Sequence, residues 1–455
     1  MSRAALLPET ARTPFPPGRG PRAGGASRLG EHSQACVHGA LQASRTQVAY
    51  VLRVRVLLGC SLGGLGHLTP LVAAIRALDG LGHDTIVLVP PALSDAAADA
   101  GVAFRVGAEP PRPVIDELWE RVRAGPPDKV SGLIDRELFA GRAMEAMLGA
   151  ATDLCQSWRP RVVVREPCEY ATAIAAHRMG IPQLQIGISQ SRIEHNVLDQ
   201  VADGLERHSP GVSRTIRAAP YLTSFPGSLD PSPWPDTRRF RDQPAPASPL
   251  PDWWPDDRRP LIYVTFGSVL GHLSEARPVL RTALDAVAGL PARVLMTVGR
   301  AIDPADLLPV APNVHVERWV PQCDVFAQAR LVVCHGGSGT TFGALAAGLP
   351  LVVCPLFADQ SANGRLVEEA GAGVVVTARE RTGGGLERLG PGDVAPLRDA
   401  IETVLADPTH ASMAHRIATE IAREPTLEDT FAKFLSPIVQ DEWVHHGAGS
   451  NRRQV

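Results

Sequence analysis

Apolar positions along the chain fall into short unbroken runs separated by stretches of helical period. Val54 to Gly59 is apolar apart from one Arg, Pro70 to Leu81 repeats apolar residues at helical spacing before Gly82, and Thr85 to Val89 is apolar again. This reads as strand, helix, strand, and the runs Val162–Val164 and Gln183–Ile188 continue the theme. A second series begins at Leu261–Phe266 and continues through Val294–Val298, Leu331–Cys334 and Leu351–Cys354. Continuous Val/Ile/Leu strands alternating with helices predict parallel sheets covered on both faces. Between the two series, ten prolines fall in the 35 residues from Pro226 to Pro260. Proline lacks a backbone donor and fixes φ, so this stretch is expected to be a stiff crossing between domains. The predicted fold is α/β: two doubly wound, Rossmann-like domains facing an interdomain cleft, with ligands at the carboxyl ends of the strands. The expected organisation is a first domain at 53–240, a linker at 241–260, a second domain at 261–425, and a closing helix and tail at 426–455 that packs back on the first domain.

Residues 1–52 break the pattern. They are rich in Gly, Pro, Arg and Ala, contain only Glu9 and Glu31 as acids, and show no sustained apolar period, so a disordered or dispensable extension is expected. They also lack the 7–15-residue apolar core of a secretory signal. Across all 455 residues, 44% are hydrophobic, 20% are charged and the net charge is -3, a globular balance without the basic excess of a nucleic-acid binder. No run approaches the ~18 apolar residues of a membrane span. Seven cysteines, none in a C-x-x-C pair, do not make a disulfide framework, and a reducing cytoplasmic setting is expected.

Two stretches could carry chemistry. His335-Gly336-Gly337-Ser338-Gly339-Thr340-Thr341 follows a buried strand and opens a helix. Its glycines allow close backbone approach, and free amides at a helix N-terminus suit a phosphate or diphosphate. An ordinary tight turn with helix caps is the plainer alternative, and no Gly-Lys-Ser/Thr follows to make a P-loop. The other stretch is Gly64-Leu65-Gly66-His67-Leu68-Thr69-Pro70, read with Thr69 as N-cap and Pro70 in the first helical position. His67 would then face the cleft from a strand-to-helix turn, either as a proton acceptor or as a loop histidine without a special role.

Taken together, these segments resemble family 1 glycosyltransferases, in particular the actinobacterial natural-product and antibiotic branch. The matching residues are Trp319-Val320-Pro321-Gln322, the stretch His335 to Thr341, Gly348-Leu349-Pro350, Asp359-Gln360 followed by Asn363, and Gly66-His67-Leu68-Thr69-Pro70. The resemblance covers about residues 54–425 and implies a GT-B fold, a nucleotide-sugar donor bound by the second domain, and a small apolar or aromatic aglycone bound mainly by the first. By position, Trp319 would stack on the nucleobase, with a core aromatic as the alternative, and the backbone at Gln322 would read the base edge. His335 would contact the diphosphate, assisted by Gly337, Ser338, Gly339 and Thr340. Ser268 would approach the phosphate or sugar, and Asp359 and Gln360 would hold sugar hydroxyls. His67 corresponds to the family's base and Glu166 to the acid that orients it, with Glu169 or a role-free surface carboxylate as alternatives.

One departure bears on the donor. UDP-sugar enzymes of the family commonly place a ribose-binding glutamate eight positions after the signature histidine, where this chain has Gly343. A dTDP-deoxysugar is therefore expected over a UDP-sugar. No Asp-x-Asp pair occurs in the chain, so metal-independent, inverting transfer to a hydroxyl is expected, with no cofactor. The expected state is a monomer or homodimer that binds no nucleic acid. The alternatives are a catalytically silent nucleotide-sugar-binding partner of another transferase and a dinucleotide-dependent oxidoreductase. Residues 107–145, including Trp119 and Phe139, are expected to form acceptor loops, with a surface helix as the alternative.

Overall fold

The computed structural model describes residues 53–62, 64–125, 130, 132–243, 246–273, 276–381 and 387–450. The expectations for residues 1–52 and for Gly63 lie outside these.

The first sheet contains seven parallel strands: β1 (Arg55–Gly59), β2 (Asp84–Val89), β3 (Phe104–Val106), β4 (Val162–Arg165), β5 (Gln183–Ile186), β6 (Tyr221–Thr223) and β7 (Thr237–Arg239). Their order is β3-β2-β1-β4-β5-β6-β7. The second sheet contains β8 (Leu261–Thr265), β9 (Arg293–Thr297), β10 (Val314–Glu317), β11 (Ala329–Cys334), β12 (Leu351–Val353) and β13 (Gly373–Val375) in the order β10-β9-β8-β11-β12-β13. Each is a doubly wound sheet whose strand order reverses beside its first strand, at β1/β4 and at β8/β11. β7, within the proline-rich stretch, is an edge strand, the place in a sheet that tolerates proline nearby.

Alternation along each strand fills both faces. Val56 and Leu58 enter the core shared with the 65–80 helix, whereas Leu57 joins the core on the opposite side. Ile262 and Val264 likewise separate from Leu261 and Tyr263. These strands are therefore apolar at every position, and the periodicity could be read without ambiguity.

Helices over the first sheet include α1 (Leu65–Gly80), α2 (Arg112–Ala124), α3 (Met144–Trp158), α4 (Ala171–Met179) and α5 (Ser191–His208). In the second domain, α6 (Ser338–Ala346) follows β11 and α7 (Gln360–Glu369) follows β12. The closing helix α8 (Leu427–Ser450) returns to the first domain, where Leu427, Phe431 and Leu435 share a core with Val54 and Leu78. Spaced i, i+4, i+8, the three form one apolar stripe, and burying each contributes roughly 2 kcal/mol.

Two expectations are corrected. α1 starts at Leu65, with Gly64 at φ +92 before it, so Pro70 lies inside the helix and Thr69 is not its N-cap. Pro70 cannot donate to the carbonyl of Gly66, a loss confined to the first turns. Residues 107–145 contain regular helix, the alternative to the acceptor loops expected there. α2 buries Leu118 and Val122 and leaves Trp119 largely exposed, and Ile134–Ala143 is a π-type turn leading into α3.

Candidate active site

Both strand-order reversals carry the residues of interest. At the first, β1 runs into Ser61 and α1, and β4 runs into Glu166. His67 lies in the first turn of α1 with Nδ1 3.2 Å from Glu166 Oε1 and 3.3 Å from Ser61 Oγ. The carboxylate is fully buried and fixed from both sides: Oε1 accepts from the Ser61 N–H at 2.9 Å and Oε2 from the Cys168 N–H at 2.7 Å. Burial alone would raise the Glu166 pKa, but the His67 imidazole and the two Ser61 donors outweigh it and hold the carboxyl below its usual range. A carboxylate on Nδ1 fixes the tautomer and leaves Nε2 with a lone pair for a proton. Glu166 is thus the acid beside His67, and its extra methylene relative to Asp does not prevent the contact. Glu169 is elsewhere: it caps α4 through the Thr172 N–H and hydroxyl, and burial raises its pKa.

Beside this pair lies a narrow pocket of about 10 Å³ lined by Ser61, Pro90, Phe139, Met147, Cys168 and Tyr170, among others. Phe139 also packs on the His67 ring, with centroids 5.5 Å apart. The imidazole therefore borders an apolar chamber.

At the second reversal, His335 ends β11 under the loop after β8. A Cβ on Gly267 would come within 2.7 Å of His335 Nε2, and one on Gly337 would also strike that atom, so both glycines make room for the ring. Burial pushes the His335 pKa down to about 4. Near neutral pH the ring is therefore uncharged and offers an N–H, not a cation. Its Nδ1 is buried without a hydrogen-bond partner. Ser268 is exposed on the adjoining loop. In α6 the Thr341 N–H returns to Gly337, so the amides of Ser338, Gly339 and Thr340 are the unused N-terminal donors, and Gly339 borders open space.

The remaining donor-side residues fall into separate sets of contacts. Asp359 Oδ2 accepts from Ser338 Oγ at 2.9 Å and from Asn363 Nδ2 at 3.3 Å. The Ser338 hydroxyl is thus engaged with Asp359, leaving its backbone amide for an anion. Gln360 is buried, and its Oε1 accepts the Leu356 and Phe357 N–H groups, so any contact with a sugar is left to Nε2. Gln322 begins a short helix with its N–H unused there, and its side chain donates to Thr340 Oγ1 at 3.0 Å. Trp319 is 56% exposed, not a core aromatic, and the Arg300 guanidinium lies 5.4 Å from its ring centroid.

Residues 281–435 match the family described as "Erythromycin biosynthesis protein CIII-like, C-terminal domain". Over 384 residues the chain is 30% identical to the L-demethylnoviosyl transferase of Streptomyces niveus, covering 82% of this chain and 95% of that relative. The chain belongs to the antibiotic glycosyltransferases. The crystal structure of the glycosyltransferase SnogD from Streptomyces nogalater superposes on this glycosyltransferase with TM-score 0.66 and 26% identity, covering 84% of this chain and 99% of SnogD. The spinosyn rhamnosyltransferase SpnG complexed with thymidine diphosphate gives TM-score 0.67 at 22% identity, with coverage of 84% and 99%. The fold is GT-B.

The sequence did not disclose three parts of this glycosyltransferase's site. Ser189 Oγ donates to Asp359 Oδ2 at 2.6 Å, and Gln190 Nε2 to Asn363 Oδ1 at 2.9 Å, both from the loop between β5 and α5. These partners stand 170 and 173 residues apart, beyond the reach of any local pattern. Arg300 and Ser61 were likewise unmarked by a motif. Among the described residues, His67, Glu166 and Cys168 could together hold a metal ion, their ligand atoms lying within 4.8 Å of one another. Both Glu166 oxygens already accept backbone N–H groups, however, and burial pushes the Cys168 thiol well up, away from the thiolate a metal prefers. The cluster therefore reads as a hydrogen-bonded acid–base pair. No helix among the described residues is long and apolar enough to cross a membrane, and their six cysteines are free thiols.

Proposed function

We propose that this glycosyltransferase moves a deoxysugar from a dTDP-activated donor, with inversion and without a metal, to a hydroxyl of a small apolar aglycone. The observation that carries the proposal is the His67–Glu166 pair beside an apolar chamber. Nε2 of His67 takes the acceptor proton while the acceptor oxygen attacks the anomeric carbon and the bond from that carbon to the diphosphate breaks. Glu166 stabilises the imidazolium that forms. General-base assistance of this kind is worth about 10²–10⁴-fold. The free amides of Ser338, Gly339 and Thr340 lie where negative charge develops on the departing diphosphate, with a neutral His335 adding one N–H.

Support for the nucleotide comes from Gly343, where a Cβ would come within 3.1 Å of the Phe326 ring, so the family's ribose-binding glutamate has no counterpart here. SpnG and VinC, similar in fold, are both known in complex with thymidine diphosphate. At about 10 Å³ the pocket is far below the ~300–1,000 Å³ of drug-sized sites, so a natural-product aglycone would lie mainly outside it, in the cleft.

The test uses purified protein with dTDP-glucose and UDP-glucose, matched in sugar, against a panel of phenolic and polyketide aglycones, with and without EDTA. Transfer should favour dTDP, survive EDTA, give the inverted anomer by NMR, and fall at least 100-fold in His67→Ala while dTDP binding is retained. A UDP preference overturns the donor assignment, and EDTA-sensitive turnover restored by magnesium overturns metal independence. Product formed at the wild-type rate by His67→Ala overturns the base.

A further inference from the structure

The catalytic pair depends on a turn that is itself held from below. β4 runs Val162-Val163-Val164 and then, still fully buried, Arg165. A buried guanidinium costs several kcal/mol unless its N–H groups are all paired, and another apolar residue would have packed at this strand end. Arg165 approaches that condition, with a bond from each of its three nitrogens. Nη1 points at three carbonyls of a single turn, those of Glu166 at 3.2 Å, Pro167 at 3.2 Å and Glu169 at 3.1 Å. Nη2 donates to Gln185 Oε1 at 2.7 Å, Nε to Gln183 Oε1 at 3.4 Å, and the cation lies over the Tyr170 ring, 5.8 Å from its centroid. The two glutamines belong to β5, so the guanidinium ties the turn to the neighbouring strand.

We infer that Arg165 is a positioning residue for the reaction: by gathering the carbonyls of the 166–169 turn, it presents the Glu166 carboxylate to His67 Nδ1. The same turn supplies Cys168, Glu169 and Tyr170 to the wall of the apolar chamber. Lysine could occupy the volume, but its point charge cannot serve the turn and Gln185 together as the planar fork does. The inference rests on the reading of His67 and Glu166 as the base and its orienting acid.

The experiment is a double-mutant cycle between Arg165→Lys and Glu166→Gln, assayed with dTDP-glucose and an aglycone accepted by the wild type. Arg165→Lys alone should lower kcat 10- to 100-fold with the donor KM and dTDP affinity unchanged, because the donor site lies on the other domain. In the Glu166→Gln background the same change should cost less than threefold. A reading independent of any acceptor comes from imidazole ¹⁵N shifts, with His67 assigned by difference against His67→Gln. Wild type should hold the Nδ1–H tautomer and Arg165→Lys a mixture. If Arg165→Lys does not fold, Gln185→Met keeps the arginine and removes its Nη2 anchor, along with the bond from Gln185 Nε2 to the Ile216 carbonyl on the far side from the turn; it should cost three- to tenfold in kcat, again only while Glu166 is intact. Equal losses in both backgrounds, a loss in donor affinity, or an unchanged His67 tautomer would overturn the inference. Full activity in Glu166→Gln would bring down the catalytic pair and this inference with it, whereas an impaired Glu166→Gln beside an unimpaired Arg165→Lys would bring down only the inference.

Discussion

His335 combines a neutral ring with a buried, unpartnered Nδ1, and this has a consequence for stability. In the unfolded chain an imidazole takes up a proton near pH 6.5, whereas this ring, desolvated in the fold, does so only near 4. Unfolding therefore binds a proton throughout that window. The contribution of the neutral ring is fully present above about pH 6.5 and is lost as the pH falls toward 4, at about 1.4 kcal/mol per unit at most. Melting temperatures between pH 7 and 4.5 should fall more steeply for wild type than for His335→Gln. Parallel curves would contradict the burial argument. His67 and His335 could be named from the chain because each stands in a local strand-to-helix motif, whereas Glu166 and Asp359 were named only through the family resemblance. Their partners could not be named. Nothing in the spacing says that the Gln360 side chain folds back on its own loop, or that Ser338 Oγ turns toward Asp359, since those choices depend on where distant backbone groups come to rest.

Among the elements, the π-type turn Ile134–Ala143 bears most directly on the acceptor. Gly141 within it has φ -111 and ψ -106, away from helical values, and a Cβ there would come within 2.9 Å of the Arg136 carbonyl oxygen. Gly141→Ala must therefore shift the turn, and with it Phe139, which packs against His67. Inserting the methyl should cost about 1–3 kcal/mol of local stability. Steady-state kinetics should show the acceptor KM raised several-fold and kcat lowered, with dTDP affinity unchanged; an unchanged acceptor KM would show that Phe139 does not set the chamber. The central strands were legible because two-sided burial leaves them almost wholly apolar, whereas the short or polar strands β3, β7 and β10 offered no such run. The 107–145 helices were legible only as the alternative to acceptor loops, although Val114, Leu118 and Val122 repeat at i, i+4, i+8. The early start of α1 was hidden by a proline that usually opens a helix but here lies inside one.

Across the whole molecule, the two domains are joined at the cleft by the 188–190 loop. Ser189 bonds to Asp359, expected with Gln360 to hold the donor sugar, Gln190 bonds to the motif residue Asn363, and Glu194 fixes the loop by accepting the Ile188 N–H at 2.8 Å and the Ser189 N–H at 2.7 Å. On the proposed reading, an arriving sugar hydroxyl would compete with Ser189 for Asp359, so the carboxylate that makes the domain contact would be the one that meets the donor. Two such bonds at about 1 kcal/mol net each favour the closed form by about 30-fold. The double variant Ser189→Ala/Gln190→Ala should therefore open the nucleotide-free protein, which small-angle scattering would record as a larger radius of gyration than wild type. Cleft closure excludes water as a competing acceptor, so the variant should also hydrolyse a larger share of its donor per transfer. Each lone substitution should give an intermediate shift, because the two bonds close the same gap between the same rigid sheets. Scattering curves that coincide with wild type, together with an unchanged ratio of hydrolysis to transfer, would mean that domain packing elsewhere holds the cleft and that this loop only touches its far wall.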